Sequence, residues 1–463
     1  LNFLLTKLGD PMARIDIVQA NPPVDDRISS RNWRWVINVA ILLFGLTGAY
    51  RLEQRVDFAL GLSSDIRPSY LSARAWGQGV NPYRPQEQLV QWAQVRPPGE
   101  PDLPDWEFTR ELAVYPPPTL ALLYPLTLLP WAALRIVWVI ISLVLSLLAW
   151  LALIRMLEMP ITGWRALLFG ALWLSLGPFV TALGLANPAL PAAMLCVLVV
   201  YLAAHRRWLL GGIALGLAVV IKPQMGLALL LFYVLQPRPR VWLVATGLLI
   251  LLSAIGVGRL WVAHVDWMPT LHASIQAING PGGFNDASYA NYQYRWQLIN
   301  LQLLLFGFLS NRALVNGLTM AIVLALGGLF MLAWKRGGRR TDDALLASVP
   351  LILALMPVYH RYYDAAVLVI PLGVAITLLG TRRNWHAVGI LICTAPFYIS
   401  GAFVLDNFQH SSYMSDRLLH SVLWNVFLLP TQTWMLLAMT LILIHLIWVT
   451  KKRDDQTPVA AGA

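Results

Sequence analysis

Apolar runs about as long as a membrane is thick recur along most of this chain, and three longer polar stretches, 54–118, 263–312 and 406–430, interrupt them. A helix of about 20 apolar residues crosses the roughly 30 Å hydrocarbon core of a bilayer. Such runs lie at 34–53, 131–157, 163–183, 188–204, 208–221, 222–235, 240–262, 313–334, 344–357, 365–380, 385–405 and 431–450. They predict about twelve crossings. Lipid cannot hydrogen-bond to the backbone, so these segments are expected to be helices packed into one bundle. The apolar piece 119–130 is short and bounded by prolines, which suits a re-entrant or interfacial segment. Residues 208–235 could be one helix, but Lys222-Pro223 favours a break into two. Proline removes a backbone donor, and a lysine is costly at membrane depth. The organisation expected is a tail at 1–33, one transmembrane domain at 34–450 and a tail at 451–463, without fixed-period repeats or a soluble domain.

Charge then orients the bundle. Only 12% of the 463 residues are charged, mean hydropathy is +0.61, and the net charge is +11. Arg155, Arg165, Arg206, Arg207, Arg238, Arg240, the 335–340 cluster, Arg382, Arg383 and the 451–453 cluster all fall on the side of the N-terminus. With the N-terminal segment, that side carries 20 of the 34 Lys+Arg but only 9 of the 23 Asp+Glu. By the positive-inside rule it is cytoplasmic, as are both termini. The basic excess is thus a topology signal, and no nucleic-acid partner is expected. The first strong apolar run begins near Trp35 and is long enough to remain as a span, so no cleavable signal peptide is legible.

Polar residues that interrupt apolar sequence gather on the opposite, outer side: Asp65, Asn81, Asn187, Lys222, Gln224, His360 and Asp364. Asp65 precedes a stretch, Tyr70 to Gly79, with the spacing of an interfacial amphipathic helix. A carboxylate there can take a proton from a sugar hydroxyl; equally, it can cap the helix or pair with Arg67. Tyr359-His360-Arg361-Tyr362-Tyr363-Asp364 offers donors and stacking faces to a phosphate or sugar, or forms an interfacial aromatic belt with an Arg–Asp pair. The Lys222 ammonium can meet a lipid phosphate or snorkel to headgroups. Asn187, in Gly184–Pro188, also reads as turn chemistry.

Other chemistries lack their signatures. Cys196 and Cys393 lie in apolar runs, and His264, His272, His410 and His420 have no metal-ligand spacing. No Asp-x-Asp pair, GxxxxGK[ST] loop, GxSxG elbow or HExxH helix occurs. No metal or other cofactor is expected. A sugar carried on a lipid brings its own leaving group and fits a membrane enzyme without a nucleotide site.

The ordered motifs resemble the bacterial polyprenyl-phosphate-mannose-dependent α-1,2-mannosyltransferases, the family that includes the mycobacterial phosphatidylinositol mannoside mannosyltransferases. The resemblance rests on Asp65, Tyr70, Gly79, Asn81, Pro82 and Tyr83, then Tyr115 to Pro117, Lys222-Pro223, and His360 with Tyr362 and Tyr363. It implies the C-type glycosyltransferase fold, an all-α integral membrane bundle with outer-face loops, in a bacterial cytoplasmic membrane. It implies an inverting transfer from a polyprenyl-monophosphate sugar to a glycolipid or glycan acceptor, with Asp65 as general base and His360 near the donor phosphate. Lys222, Arg361 and Gln224 are then expected at the donor phosphate and lipid. Tyr70, Asn81, Tyr83, Tyr115, Asn187, Tyr362, Tyr363 and Asp364 are expected around sugar or acceptor. The chain departs from the family at Gly184-Leu185-Ala186-Asn187, where many relatives have Gly-Gln-x-Asn.

Competing classes are an outer-face arabinosyl- or other pentosyltransferase with the same kind of donor, a ligase using a diphosphate donor, and a polytopic lipid or sugar transporter. A transporter needs polar groups through the bundle's midplane, whereas here they collect at one end. A ligase would call for more arginine near its donor.

Overall fold

The computed structural model describes residues 31–61, 65–100, 114–236, 238–288, 295–337, 342–398 and 415–450. Those residues form an all-helical protein, with one isolated β-bridge between Leu298 and Arg361 and no strand.

The chain opens on α1 (Arg31–Gly61), then two helices with proline in the first turn, α2 (Arg67–Gln78) and α3 (Pro85–Val95). After α4 (Pro117–Leu123) and a 3-10 turn come α5 (Trp131–Met156), α6 (Trp164–Ser175), α7 (Gly177–Gly184), α8 (Ala189–Ala204) and α9 (Trp208–Ile221). Next are α10 (Pro223–Leu235), α11 (Pro239–Val262), α12 (Met268–Asn279), α13 (Arg312–Gly337) and α14 (Asp343–Ala354). A 3-10 segment, Tyr362–Leu368, leads into α15 (Val369–Leu378), and α16 (Asn384–Thr394) and α17 (Thr431–Thr450) follow; short helical pieces at Leu301–Leu305, Asp416–Leu419 and Leu423–Leu428 lie between the longer helices.

Length limits which of these can cross a bilayer. Five helices, α1, α5, α11, α13 and α17, are long and apolar enough, and α6 with α7 makes a sixth if their 49° bend is taken within one span. The bend falls where Pro178 enters the first turn of α7. The twelve expected crossings are therefore not all found as full-length helices. α8, α9, α10 and α14 have 12 to 16 residues, which at 1.5 Å per residue is about 18–24 Å, short of the core thickness. The expected break between α9 and α10 falls at Lys222. The first polar stretch was expected to start at Gln54, but α1 runs on through Gly61. Val56 packs on the core and Ala59 is fully buried, so one apolar face carries the helix past the charges of Arg55 and Asp57.

α8 and α15 form the buried axis of the bundle, with side chains buried on almost all sides. α11 and α13 lie at the periphery and expose leucine and isoleucine, as lipid-facing helices should. α9 approaches α11 closely through Gly212 and Gly216: a Cβ on Gly212 would stand 2.5 Å from that of Val244. This is small-residue packing, which membrane helices use in place of a hydrophobic driving force.

The first polar stretch builds a core of its own. Tyr70, Trp76, Tyr83, Trp92 and Trp131 pack with Leu260 of α11, and the Trp76 indole donates to Gly256 O at 2.8 Å. α4 presses so close that a Cβ on Gly256 would meet the Pro117 backbone at 2.5 Å. The segment is thereby docked against the end of the bundle that holds the start of α8 and the break at Lys222.

Candidate active site

Asp65 is held by the turn between α7 and α8. Its amide donates to Leu185 O at 3.0 Å, and Asn187 Nδ2 donates to Asp65 Oδ2 at 2.5 Å. Asn187 Oδ1 in turn accepts from the Ala189 amide at 2.7 Å, which fixes the side-chain amide with its NH₂ toward the carboxylate. Ala186 between them takes a left-handed backbone, φ +53°, an uncommon state for a residue with a Cβ. The position that departs from the family pattern, Leu185, thus meets Asp65 through its backbone carbonyl. Asn187 supports the base candidate besides doing turn chemistry. Asp65 stands one residue ahead of the N-cap of α2, Ile66, so the helix is entered without a side-chain cap.

The second half comes from the segment between α14 and α15. Asp364 is buried, with Oδ1 2.8 Å from Lys222 Nζ and Oδ2 2.9 Å from His360 Nδ1. The Arg361 amide also donates to Oδ2, at 3.1 Å. A carboxylate only accepts, so His360 donates from Nδ1. Its Nε2 then carries a lone pair in the neutral ring and an N–H in the charged one. His360 is wholly buried, and Nε2 has no hydrogen-bond partner among the described residues. Other buried atoms, the Trp131 indole and the Tyr233 hydroxyl among them, share that state, so what marks Nε2 is its place on a ring braced by Asp364.

Arg361 is buried against the Phe284 ring, 3.5 Å from its centroid, and donates to Asn285 Oδ1, Gln297 Oε1 and Phe284 O. These acceptors are neutral, so they orient the cation without cancelling its charge. Lys222 Nζ lies 5.3 Å from the centre of the Tyr363 ring. The two halves meet at Tyr115. Burial pushes its phenol above the usual range; Lys222 opposes that, while Tyr359, Asp65 and Asp364 add to it. Tyr115 is thus within the electrostatic reach of Asp65 from one half and of Lys222 and Asp364 from the other.

A groove of about 940 Å³ lies between α10, α13 and α14, and its wall includes Asn285, the acceptor of Arg361. Leu227, Leu231, Val323, Leu324 and Met331 line its apolar length, and Gln224 and Tyr359 lie on its wall. Elsewhere the wall is polar, with Asn285, Gln302, Asn316 and the Arg312–Asp286 ion pair at 2.7 Å. Burial would raise the Asp286 carboxyl. Hydrogen bonds from Ser288 and the Gly282 amide, with Arg312 beside it, more than offset this and hold it below the usual range.

Other residues expected near sugar or acceptor are engaged by the scaffold. The Tyr70 hydroxyl donates to Leu129 O at 3.1 Å, and Tyr83 to Tyr115 O at 2.9 Å. Asn81 Nδ2 donates to Asp266 O and Thr270 Oγ1, while its Oδ1 accepts from the Tyr83 amide. Tyr362 donates to Phe397 O at 2.7 Å. Asp364 likewise has its oxygens occupied by Lys222, His360 and the Arg361 amide. Sequence reasoning singled out the second polar stretch but not Phe284, Asn285 or Gln297; no motif marks them, and it is the backbone bonds from Ile299 to His360 O at 3.0 Å and from Leu301 to Met356 O at 3.1 Å that bring that stretch alongside. Among the described residues, no three His, Cys, Asp or Glu side chains converge as a metal site.

Compared with known proteins, residues 113–358 match Glycosyltransferase family 87. No curated protein and no solved structure matches the chain. The matched region holds Tyr115, Asn187, Lys222 and Gln224, and it stops two residues before His360. With more than half of its length matched, this all-helical membrane protein belongs to glycosyltransferase family 87 and so transfers a sugar from a donor to an acceptor.

Proposed function

We propose that the enzyme takes its sugar from a polyprenyl-monophosphate donor and passes it to a glycolipid or glycan at the outer face of a bacterial cytoplasmic membrane. The resemblance to the polyprenyl-phosphate-mannose family makes mannose the sugar proposed. The observation that carries this reading is a buried His360, its Nε2 without a hydrogen-bond partner among the described residues, followed by an oriented Arg361 whose acceptor Asn285 lines an apolar groove. A lipid phosphate has an anionic head to meet His360 and Arg361 and a hydrocarbon tail to occupy the groove. A nucleotide-sugar has no such tail.

The step is a single displacement. Asp65 takes the proton of an acceptor hydroxyl, whose oxygen forms a bond to the anomeric carbon. The bond from that carbon to the phosphate oxygen breaks, and the polyprenyl phosphate leaves with the electron pair. Configuration inverts. His360 and Arg361 stabilise the charge gathering on the leaving phosphate, the kind of fixed electrostatic assistance that supplies much of enzymatic rate enhancement. Lys222 and Asp364 hold His360 in place and set its tautomer. Asn187 fixes the Asp65 carboxylate.

The test is transfer by purified protein in detergent from polyprenyl-phosphate-mannose to a panel of glycolipid acceptors, with and without EDTA and beside Asp65→Asn. Metal-independent transfer that falls about 10²- to 10⁴-fold in the variant supports the assignment. A folded Asp65→Asn enzyme that keeps most of its rate removes Asp65 as the base. No transfer to any acceptor and no donor hydrolysis would move the donor to a polyprenyl-phosphate pentose.

A further inference from the structure

A second cavity lies at the other end of the bundle. α8 leaves the Asn187 turn and ends at Ala204; α9 returns to Lys222, and α10 leads away again to Gln236. The turn after α8 and the start of α11 are therefore about one α8 length, 24 Å, from the candidate active site. Between them is a cavity of about 610 Å³ lined by Arg206, Arg207 and Trp208 on one side and Arg240 on the other. Its remaining walls are Leu209, Leu210, Leu243 and Val244, and the three leucines are 62%, 54% and 51% exposed.

Two features separate these arginines from the ordinary basic residues at membrane edges. Others nearby are engaged by the protein: Arg238 pairs with Asp343 at 2.9 Å, Arg165 donates to Leu379 O, and Arg383 donates to Thr450. Arg206, Arg207 and Arg240 have no side-chain hydrogen bond or ion pair among the described residues, and no carboxylate lines their cavity. Second, the same cavity is walled by exposed leucines on two membrane helices that small residues hold in contact. An anionic head and a hydrocarbon chain are thus called for in one place.

We propose that this cavity binds an anionic phospholipid, with its phosphates on Arg206, Arg207 and Arg240 and its acyl chains along Leu209, Leu210 and Leu243. Three unpaired guanidinium groups suit a lipid with two phosphates better than one with a single phosphate. Arginine binds phosphate oxygens in pairs, and basic pockets between membrane helices are where such headgroups lodge. Trp208 sits at headgroup level, where indole rings favour the interface.

The test uses the full chain, purified in detergent and titrated with cardiolipin, phosphatidylglycerol and phosphatidylcholine by native mass spectrometry. Three proteins are compared: unaltered, Arg207→Gln/Arg240→Gln, and the charge-matched control Arg155→Gln/Arg382→Gln, which removes two exposed arginines from the same end. The expected result is saturable binding with cardiolipin tightest and phosphatidylcholine absent. Cardiolipin affinity should drop about thirtyfold in the Arg207/Arg240 variant and hold in the control. Unfolding temperatures within error of the unaltered protein establish that both variants fold. Equal losses in the two variants would show attraction by net charge alone and overturn the proposal, as would no loss in either. Displacement of cardiolipin by millimolar pyrophosphate would also overturn it, assigning the cavity to a soluble polyphosphate.

Discussion

Two short polar motifs, Asn81-Pro82-Tyr83 and His360-Arg361-Tyr362-Tyr363-Asp364, look alike in sequence and end up in opposite states. The first lies within a polar stretch and the second between two apolar runs, yet Asn81, Tyr83, His360 and Asp364 are all buried. Asn81 and Tyr83 direct their side-chain hydrogen bonds at the scaffold, tying the first polar segment to Asp266, Thr270 and Tyr115. The later motif is equally well braced through Asp364 and Tyr362, yet His360 Nε2 has no partner among the described residues. Burial of polar side chains therefore does not separate support from chemistry here. What separates them is an atom the fold has positioned and left open.

Breaking the brace should have the largest effect. Lys222→Met leaves Asp364 as a buried carboxylate without its ammonium, which costs about 3–5 kcal/mol, read as a fall in the thermal unfolding midpoint in detergent. Lys222→Met/Asp364→Leu should recover most of that stability, since an apolar pair can replace a buried ion pair at little cost. It should stay inactive, because His360 has lost its acceptor. A double variant that regained activity would show that the brace serves stability alone.

The open atom is tested next. Asparagine at 360 keeps a donor near the Nδ1 position but supplies nothing at Nε2. His360→Asn is expected to lower kcat about 10²- to 10³-fold, as loss of a transition-state donor does, with an unfolding midpoint close to that of the unaltered enzyme. Unchanged kcat would place the phosphate elsewhere.

On the other side of the comparison, Asn81→Ala leaves the Asp266 carbonyl and the Tyr83 amide without their partner. It is expected to cost about 1–3 kcal/mol of stability while the transfer rate per folded molecule is kept. A selective loss of kcat would move Asn81 into the site. The smallest effect is expected for Asn187→Ala, about a tenfold drop in kcat with KM kept, from loss of one hydrogen bond to a charged group. Asn187→Ser, which can still donate, should recover part of it.

Much of this was legible before the structure. Hydrophobic length marked the span positions, because a bilayer imposes one scale on every crossing helix. The helix after Asp65, the break at Lys222-Pro223 and α17 follow the expected boundaries closely. The number of full crossings was not legible. A count of apolar residues cannot tell one long helix from two short ones in series, nor see the bend between α6 and α7. The roles of Asn187 and Asp364 were also out of reach, since each depends on a partner far along the chain: 122 residues for Asn187 and Asp65.

The sequence by itself determined that this is a helical membrane protein, and it set the expectation of a basic excess at one end and odd polar residues at the other. Composition and run length suffice for that, because water and lipid sort side chains one at a time. Only the tertiary structure decided which polar residues face each other. It put Lys222 on Asp364, clasped Asp65 in the Asn187 turn, brought Asn285 and Gln297 to Arg361 and left His360 Nε2 buried without a hydrogen-bond partner among the described residues. Pairing is a property of packing between segments distant in sequence, and no local pattern encodes it.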